Sequence, residues 1–173
     1  LFALDCKAHG VQWRERRAMD ESVPRFDLQL ASASANSLFG DVDARSEIER
    51  LSDEWRVLLG AQNEGASRRV VEMTADYVKK REQFGRPLDE LQGLQWMLAD
   101  MNIGLVAART LIHRAAICPE GEFPDALKAA QAKIFASEMA IKVTNDALQL
   151  FGAAGYSRAN PLERMARDVR MFT

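Results

Sequence analysis

The stretch REQFGRP, Arg81 to Pro87, puts a guanidinium, an amide and an aromatic ring into one short corner between two long apolar-periodic segments. Arg81 offers a planar fork of donors that matches phosphate oxygens. Gln83 adds amide hydrogen bonding, and Phe84 adds a flat apolar surface. Such a set suits a ligand with a pyrophosphate and a ring system. The same residues also read as plain helix punctuation. In that reading Gly85 follows the last helical turn, Pro87 forbids continuation, Phe84 packs inward and the arginines are solvated. Local physics leaves both readings standing.

Other chemistry-bearing residues are sparse. His9 and His113, and Cys6 and Cys118, are too few and too far apart for a metal site, and no CxxC spacing occurs. No Ser/His/Asp or Cys/His set forms. Asp53 and Glu54 precede Trp55, which the periodicity turns toward a core, so both acids read as solvated outer-face groups. The turn GAAG, Gly152 to Gly155, follows a helical pattern rather than a strand and is not a dinucleotide fingerprint.

The elements that must position these groups fall into two regimes. From Leu1 to about Asp43 the pattern is strand-like: LFALD, VQWRERRAM and RFDLQLAS, with Gly10 and Pro24 at turns. These are read as residues 1–43 of an incomplete β domain. Residues 44–173 read as a helical bundle. The first helix carries Ile48, Leu51, Trp55, Leu58, Ala66, Val70, Met73 and Tyr77, and ends near Phe84. The second carries Leu91, Leu94, Leu98, Met101, Leu105, Ala108, Ile112 and Ala115, and CPEGEFP breaks it. The third carries Leu127, Ala130, Ile134, Ile141, Leu148 and Phe151, with a second apolar side through Ala136, Ala140, Val143 and Ala147. A short fourth helix starts near Pro161. Short loops make these an antiparallel up-down four-helix bundle, so the fold class is mainly α with a few preceding β-strands. Two apolar sides per helix predict a further contact surface, such as a subunit interface.

Composition narrows the function classes. Hydrophobic content is 47%, charged content 28% and net charge −2, as in a soluble globular protein. No basic footprint points to nucleic acid, and no apolar run reaches membrane-spanning length. Cysteine usage favours a reducing compartment. The chain opens at Leu1 in a strand-like run without a targeting pattern and closes at Thr173 in an amphipathic segment, which predicts a piece of a longer protein.

The order of the motifs carries a resemblance. YVKKREQFGRPLDELQGLQWMLADM, AAQAKIFASEMAIKVTNDALQLFGAAGY and PLERMARDVRMFT, with FDLQLASASANSLFGDV upstream, resemble the acyl-CoA dehydrogenase family over essentially the whole chain. The resemblance implies a flavin-dependent oxidoreductase that converts an acyl-CoA thioester to its α,β-unsaturated product, with FAD as hydride acceptor. An alternative from the same resemblance is a non-catalytic subunit that stabilises, or lends FAD contacts to, a partner in a hetero-oligomer.

Carried over by position, Arg81, Gln83 and Phe84 would meet the FAD pyrophosphate, Leu88 and Leu91 the adenosine end, and Gln149, Gly152 and Ala153 the diphosphate and ribityl region. In the family this FAD belongs to a neighbouring subunit of a dimer or tetramer. Asp53 and Arg56 align with positions near the CoA moiety, against the plainer reading of a surface ion pair. Ala153 stands where the family usually has a second glycine. The catalytic glutamate is expected beyond Thr173; the base position that other members use aligns with Trp55, and adjacent Glu54 points about 100° away around the helix. The implied electron acceptor is an electron-transfer flavoprotein, and the implied location is cytoplasmic, or the mitochondrial matrix in a eukaryote. The fragment alone is expected to be inactive.

Overall fold

In the computed structural model, which describes residues 1–19, 23–40 and 43–172, the early segments form four short strands. Strand β1 (Phe2–Leu4) pairs antiparallel with β4 (Ala35–Ser37). Strand β2 (Val11–Arg16) pairs antiparallel with β3 (Arg25–Leu30), with Trp13 opposite Leu28 and Glu15 opposite Phe26. The diagonal neighbours Trp13 and Phe26 meet edge to face, ring centroids 6.1 Å apart. Gly10 is obligatory beside this pair of strands: its φ is +83°, and a Cβ there would lie 2.1 Å from the Ala31 carbonyl oxygen. Phe26, Leu28 and Leu30 remain exposed on β3.

The chain divides into two compact units, Leu1–Glu49 and Arg50–Thr173. Four helices dominate the second: α1 (Arg45–Lys80), which begins just ahead of it, α2 (Gln92–Ala116), α3 (Ala126–Phe151) and α4 (Leu162–Asp168). Their directions alternate as the short loops require. Gly60 of α1 faces Ile112, late in α2, and Ala132, early in α3. At the other end Tyr77 of α1 meets Phe151, the last residue of α3. Asp125 caps α3 by accepting from the Lys128 amide at 2.9 Å. Arg109 of α2 donates from Nε and Nη2 to Glu64 Oε1 of α1 at 3.0 and 2.5 Å, bridging the two helices. No helix of the described residues is long and apolar enough to cross a membrane.

The core follows the predicted stripe on α2, where Met101, Leu105, Ala108, Ile112 and Ala115 are buried. On the other two long helices it follows the predicted stripe only in the later part, through Val70 and Phe151, with Met73, Tyr77 and Leu148 packed against the core. On α3 it takes the second predicted side, through Ala136, Ala140, Val143 and Ala147. Along the first half of α1, Leu51, Trp55 and Leu58 face outward, with Trp55 62% exposed. The buried edge instead runs through Asp53, Val57, Gly60, Asn63, Ser67, Val70, Thr74 and Val78. On α3, Leu127 and Ile134 are exposed, while Ala129, Ala132, Ala136, Ala140, Val143 and Ala147 are buried. The reason is close approach. A Cβ on Gly60 would stand 3.3 Å from Ile112 Cγ1, and one on Gly104 3.1 Å from Met139 Cγ. Opposite the large residues of α2, helices this near leave room for smaller side chains, and a second stripe of leucines between them would be overpacked.

Candidate functional site

The REQFGRP corner is not a helix terminus with a glycine cap. Helix α1 stops at Lys80, and its last bond runs from the Arg81 amide to the Tyr77 carbonyl at 2.9 Å. Residues 82–87 then form a hairpin of β5 (Glu82–Gln83) and β6 (Arg86–Pro87), with Gln83 opposite Arg86. Phe84 and Gly85 make the two-residue turn with φ of +57° and +77°. Two positive values in succession suit the right-handed twist of a hairpin, so Gly85 serves the turn rather than the helix end. Phe84 does not pack inward; it is 88% exposed. The hairpin is closed by the Leu88 amide donating to the Arg81 carbonyl at 2.9 Å. Arg81 is thereby held through both of its peptide groups, one by the helix and one by the hairpin.

The second corner is the end of α3. Gly152 takes φ +57°, its amide reaches back to the Gln149 and Leu148 carbonyls, and the space where a Cβ would project is open. Gly155 lets the chain return: a Cβ there would fall 2.8 Å from Phe151 Cβ. Ala153 lies in the 3₁₀ turn Gly152–Ala154 and is not among the positive-φ residues, so its methyl causes no backbone strain.

The two corners line one open cleft of about 520 Å³. Arg81, Gln83, Phe84, Leu88 and Leu91 enter from the first, and Gln149, Gly152 and Ala153 from the second. Leu94, Leu150 and Phe151 add apolar lining. Among the described residues the Arg81 guanidinium and the Gln149 amide have no side-chain partner, whereas Gln83 Nε2 donates to the Glu82 carbonyl at 2.8 Å. A cationic fork and amides over an apolar floor can take an anionic ligand that also carries a flat or apolar portion. The donor set and the open backbone at Gly152 fit the FAD diphosphate that the family resemblance implies.

Tyr77, a residue of the core stripe and the first of the YVKKREQFGRP motif, also lines this cleft. Its ring stacks on Phe151 with centroids 4.1 Å apart and planes 11° off parallel, and its hydroxyl donates to the Phe151 carbonyl at 3.4 Å. It therefore ties the end of α3 to the last turn of α1. The available signal was its place four residues before Arg81, on the same helix face.

Asp53 and Arg56 come together, but elsewhere. Arg56 Nη1 donates to Asp53 Oδ1, and Asp53 is 7% exposed rather than solvated on an outer face. Only Arg56 remains open to solvent. About 40 Å of helix axis separates this pair from Arg81. Glu54 and Trp55 are exposed beside it. Thr173, the last residue, lies outside the described residues. In α4 the Arg167 guanidinium donates from Nε to Glu163 Oε2 at 3.0 Å. That hydrogen bond, aided by the charges of Arg167, Arg158 and Arg164 and opposed by burial, holds the Glu163 carboxyl below its usual range.

The sequence profile described as acyl-CoA dehydrogenase, C-terminal domain, matches residues 48–173. A 3-sulfinopropanoyl-CoA desulfinase of Advenella mimigardefordensis is 59% identical over 118 residues, covering 68% of this chain and 29% of that protein. A short-chain-specific acyl-CoA dehydrogenase of Clostridium acetobutylicum is 41% identical over 119 residues, covering 69% of this chain and 31% of that protein. Among solved structures, butyryl-CoA dehydrogenase of Megasphaera elsdenii superposes with a TM-score of 0.89 at 29% identity, over 99% of this chain and 46% of its own. The chain thus spans less than half the length of each of these relatives. With the profile covering most of its residues and the bundle matching in three dimensions, the chain belongs to the acyl-CoA dehydrogenase family.

Proposed function

We propose that the bundle supplies half of an FAD site in a protein acting on a short acyl-CoA thioester. The observation that carries this reading is the meeting of the Arg81 and Gln149–Ala153 corners in a single cleft. In it Arg81 pairs with the diphosphate, and Gln83 and Gln149 hydrogen-bond around it. Phe84 offers its exposed ring, and Leu88 and Leu91 shield the adenosine end from water. The cleft is open, so the other half of the site comes from outside this chain, as when a neighbouring subunit of an oligomer holds the flavin. When bound, FAD supplies the capacity to accept a hydride from the β carbon of the thioester. The Asp53–Arg56 pair is assigned to the CoA portion: Asp53 fixes the guanidinium, whose exposed edge remains free to meet a phosphate or pantetheine oxygen.

Two reactions compete. The family resemblance favours α,β-dehydrogenation, with an electron-transfer flavoprotein as acceptor. The 59% identity to a 3-sulfinopropanoyl-CoA desulfinase, against 41% to a short-chain dehydrogenase, favours loss of a sulfinate group from the acyl chain: the C–S bond breaks, one water supplies a hydrogen to the carbon and an oxygen to the sulfur, and sulfite leaves with no net oxidation. We place the desulfinase reaction first. The test uses the full-length protein purified with its flavin. Sulfite release from 3-sulfinopropanoyl-CoA supports this order, and dye reduction with butanoyl-CoA reverses it. Retained flavin with neither activity supports a non-catalytic subunit. Protein that binds no flavin removes the basis of the proposal.

A further inference from the structure

Asn63 and Ser67 are buried in the second unit at 1% and 0% exposure, yet among the described residues Asn63 Oδ1, Asn63 Nδ2 and Ser67 Oγ have no hydrogen-bond partner. They lie one turn apart on the inner edge of α1, so the three polar atoms share one site. The contrast with other buried hydroxyls is informative. Thr74, Ser137 and Thr144 each donate to the carbonyl four residues earlier in their own helix, on Val70, Lys133 and Ala140, at 2.7, 2.8 and 2.8 Å. Ser67 has the same option in the Asn63 carbonyl and does not take it. Nor does it bond the Asn63 amide group.

The neighbouring helices do not fill the gap. Gly60, about one turn before Asn63, faces Ile112 of α2 and Ala132 of α3, so Asn63 and Ser67 sit on the side of α1 turned into the bundle, and among the described residues none bonds their polar atoms. Ser137, a buried hydroxyl of α3, has its proton committed within its own helix. Polar groups buried without partners are rare because each retains the full cost of desolvation. A partner that reaches so enclosed a position must be very small and must both donate and accept.

We infer that Asn63 and Ser67 hold a buried water molecule on the inner edge of α1, an internal hydration site that ties this helix into the bundle. One water can accept from Asn63 Nδ2 and donate to Asn63 Oδ1 or Ser67 Oγ. The site lies midway along the helix that carries Asp53 and Arg56 at one end and leads into Arg81 at the other, so both ends share the tie it makes.

The test is a crystal structure of the full-length protein at a resolution that shows ordered water, paired with water-to-amide NOE measurements on labelled protein. The expected result is density within about 3.2 Å of Asn63 and Ser67 Oγ, and a long-lived water cross-peak to the Asn63 side-chain amide. Both should be lost or displaced in Ser67→Ala. A dry site in the crystal, or no cross-peak in the unmodified protein, overturns the inference. So does a water that stays unchanged in Ser67→Ala.

Discussion

Arg81 occupies an unusual place for a cationic side chain. Its backbone is fixed on both sides, and among the described residues its guanidinium has no side-chain partner, so the root of the side chain is anchored while its donors stay available to a ligand. A charge-assisted hydrogen bond is worth roughly 1.5–3 kcal/mol, or about 10- to 100-fold in affinity. Arg81→Ala in the full-length protein should therefore weaken flavin binding by about that factor, read by equilibrium dialysis, with the far-UV spectrum unchanged. Arg81→Lys should recover only part, because a lysine replaces the fork with a point charge. Glu163 gives a prediction of a different kind. Its folded carboxyl titrates below its unfolded value, so its contribution to stability is present above the unfolded pKa and fades as pH falls through the folded one. At pH 7 Glu163→Gln should melt below the unmodified protein. Scanned downward from pH 5, the two melting curves should converge; a gap that stays constant with pH would contradict the assignment. The effect is modest, because the pair is partly solvated.

At the scale of the elements, close helix packing decides which apolar side faces inward. Ala136 sits at 0% exposure on the close-packed face of α3. Ala136→Leu should cost about 1–3 kcal/mol of stability through overpacking, measured by urea unfolding. A change within 0.5 kcal/mol would mean that the α3 stripe has room to spare. This is also where the sequence was hardest to read. On α2 the large residues and the core coincide, and the 3-4 spacing alone located Met101, Leu105 and Ile112. On α3 two apolar sides competed, and size favoured Leu127 and Ile134 although the interior needed alanines. On α1 the buried edge includes Asn63 and Ser67, which no hydrophobic count selects. The hairpin at 82–87 was hidden because a glycine before a proline carries the same signal at a helix end as in a tight turn. The composition of the cleft was legible from ordered motifs, since Arg81, Gln83, Gln149 and Gly152 need only the right corners. Tyr77 was not, because stacking on Phe151 depends on where two distant helix ends meet.

For the molecule as a whole, the most consequential pattern is the placement of its aromatic side chains. All three tryptophans of the chain, Trp13, Trp55 and Trp96, are among its exposed large hydrophobic residues. Fluorescence excited in the indole band should then emit close to the wavelength of a fully hydrated indole while the fold is intact. Denaturant should change its colour little, even as the helical signal collapses. A strongly blue emission from the isolated chain would contradict the outward placement of Trp55 and Trp96. The intrinsic light of this protein is therefore a poor gauge of its interior and a sensitive gauge of its company: a shift toward blue at constant helicity would report that another surface has covered those rings.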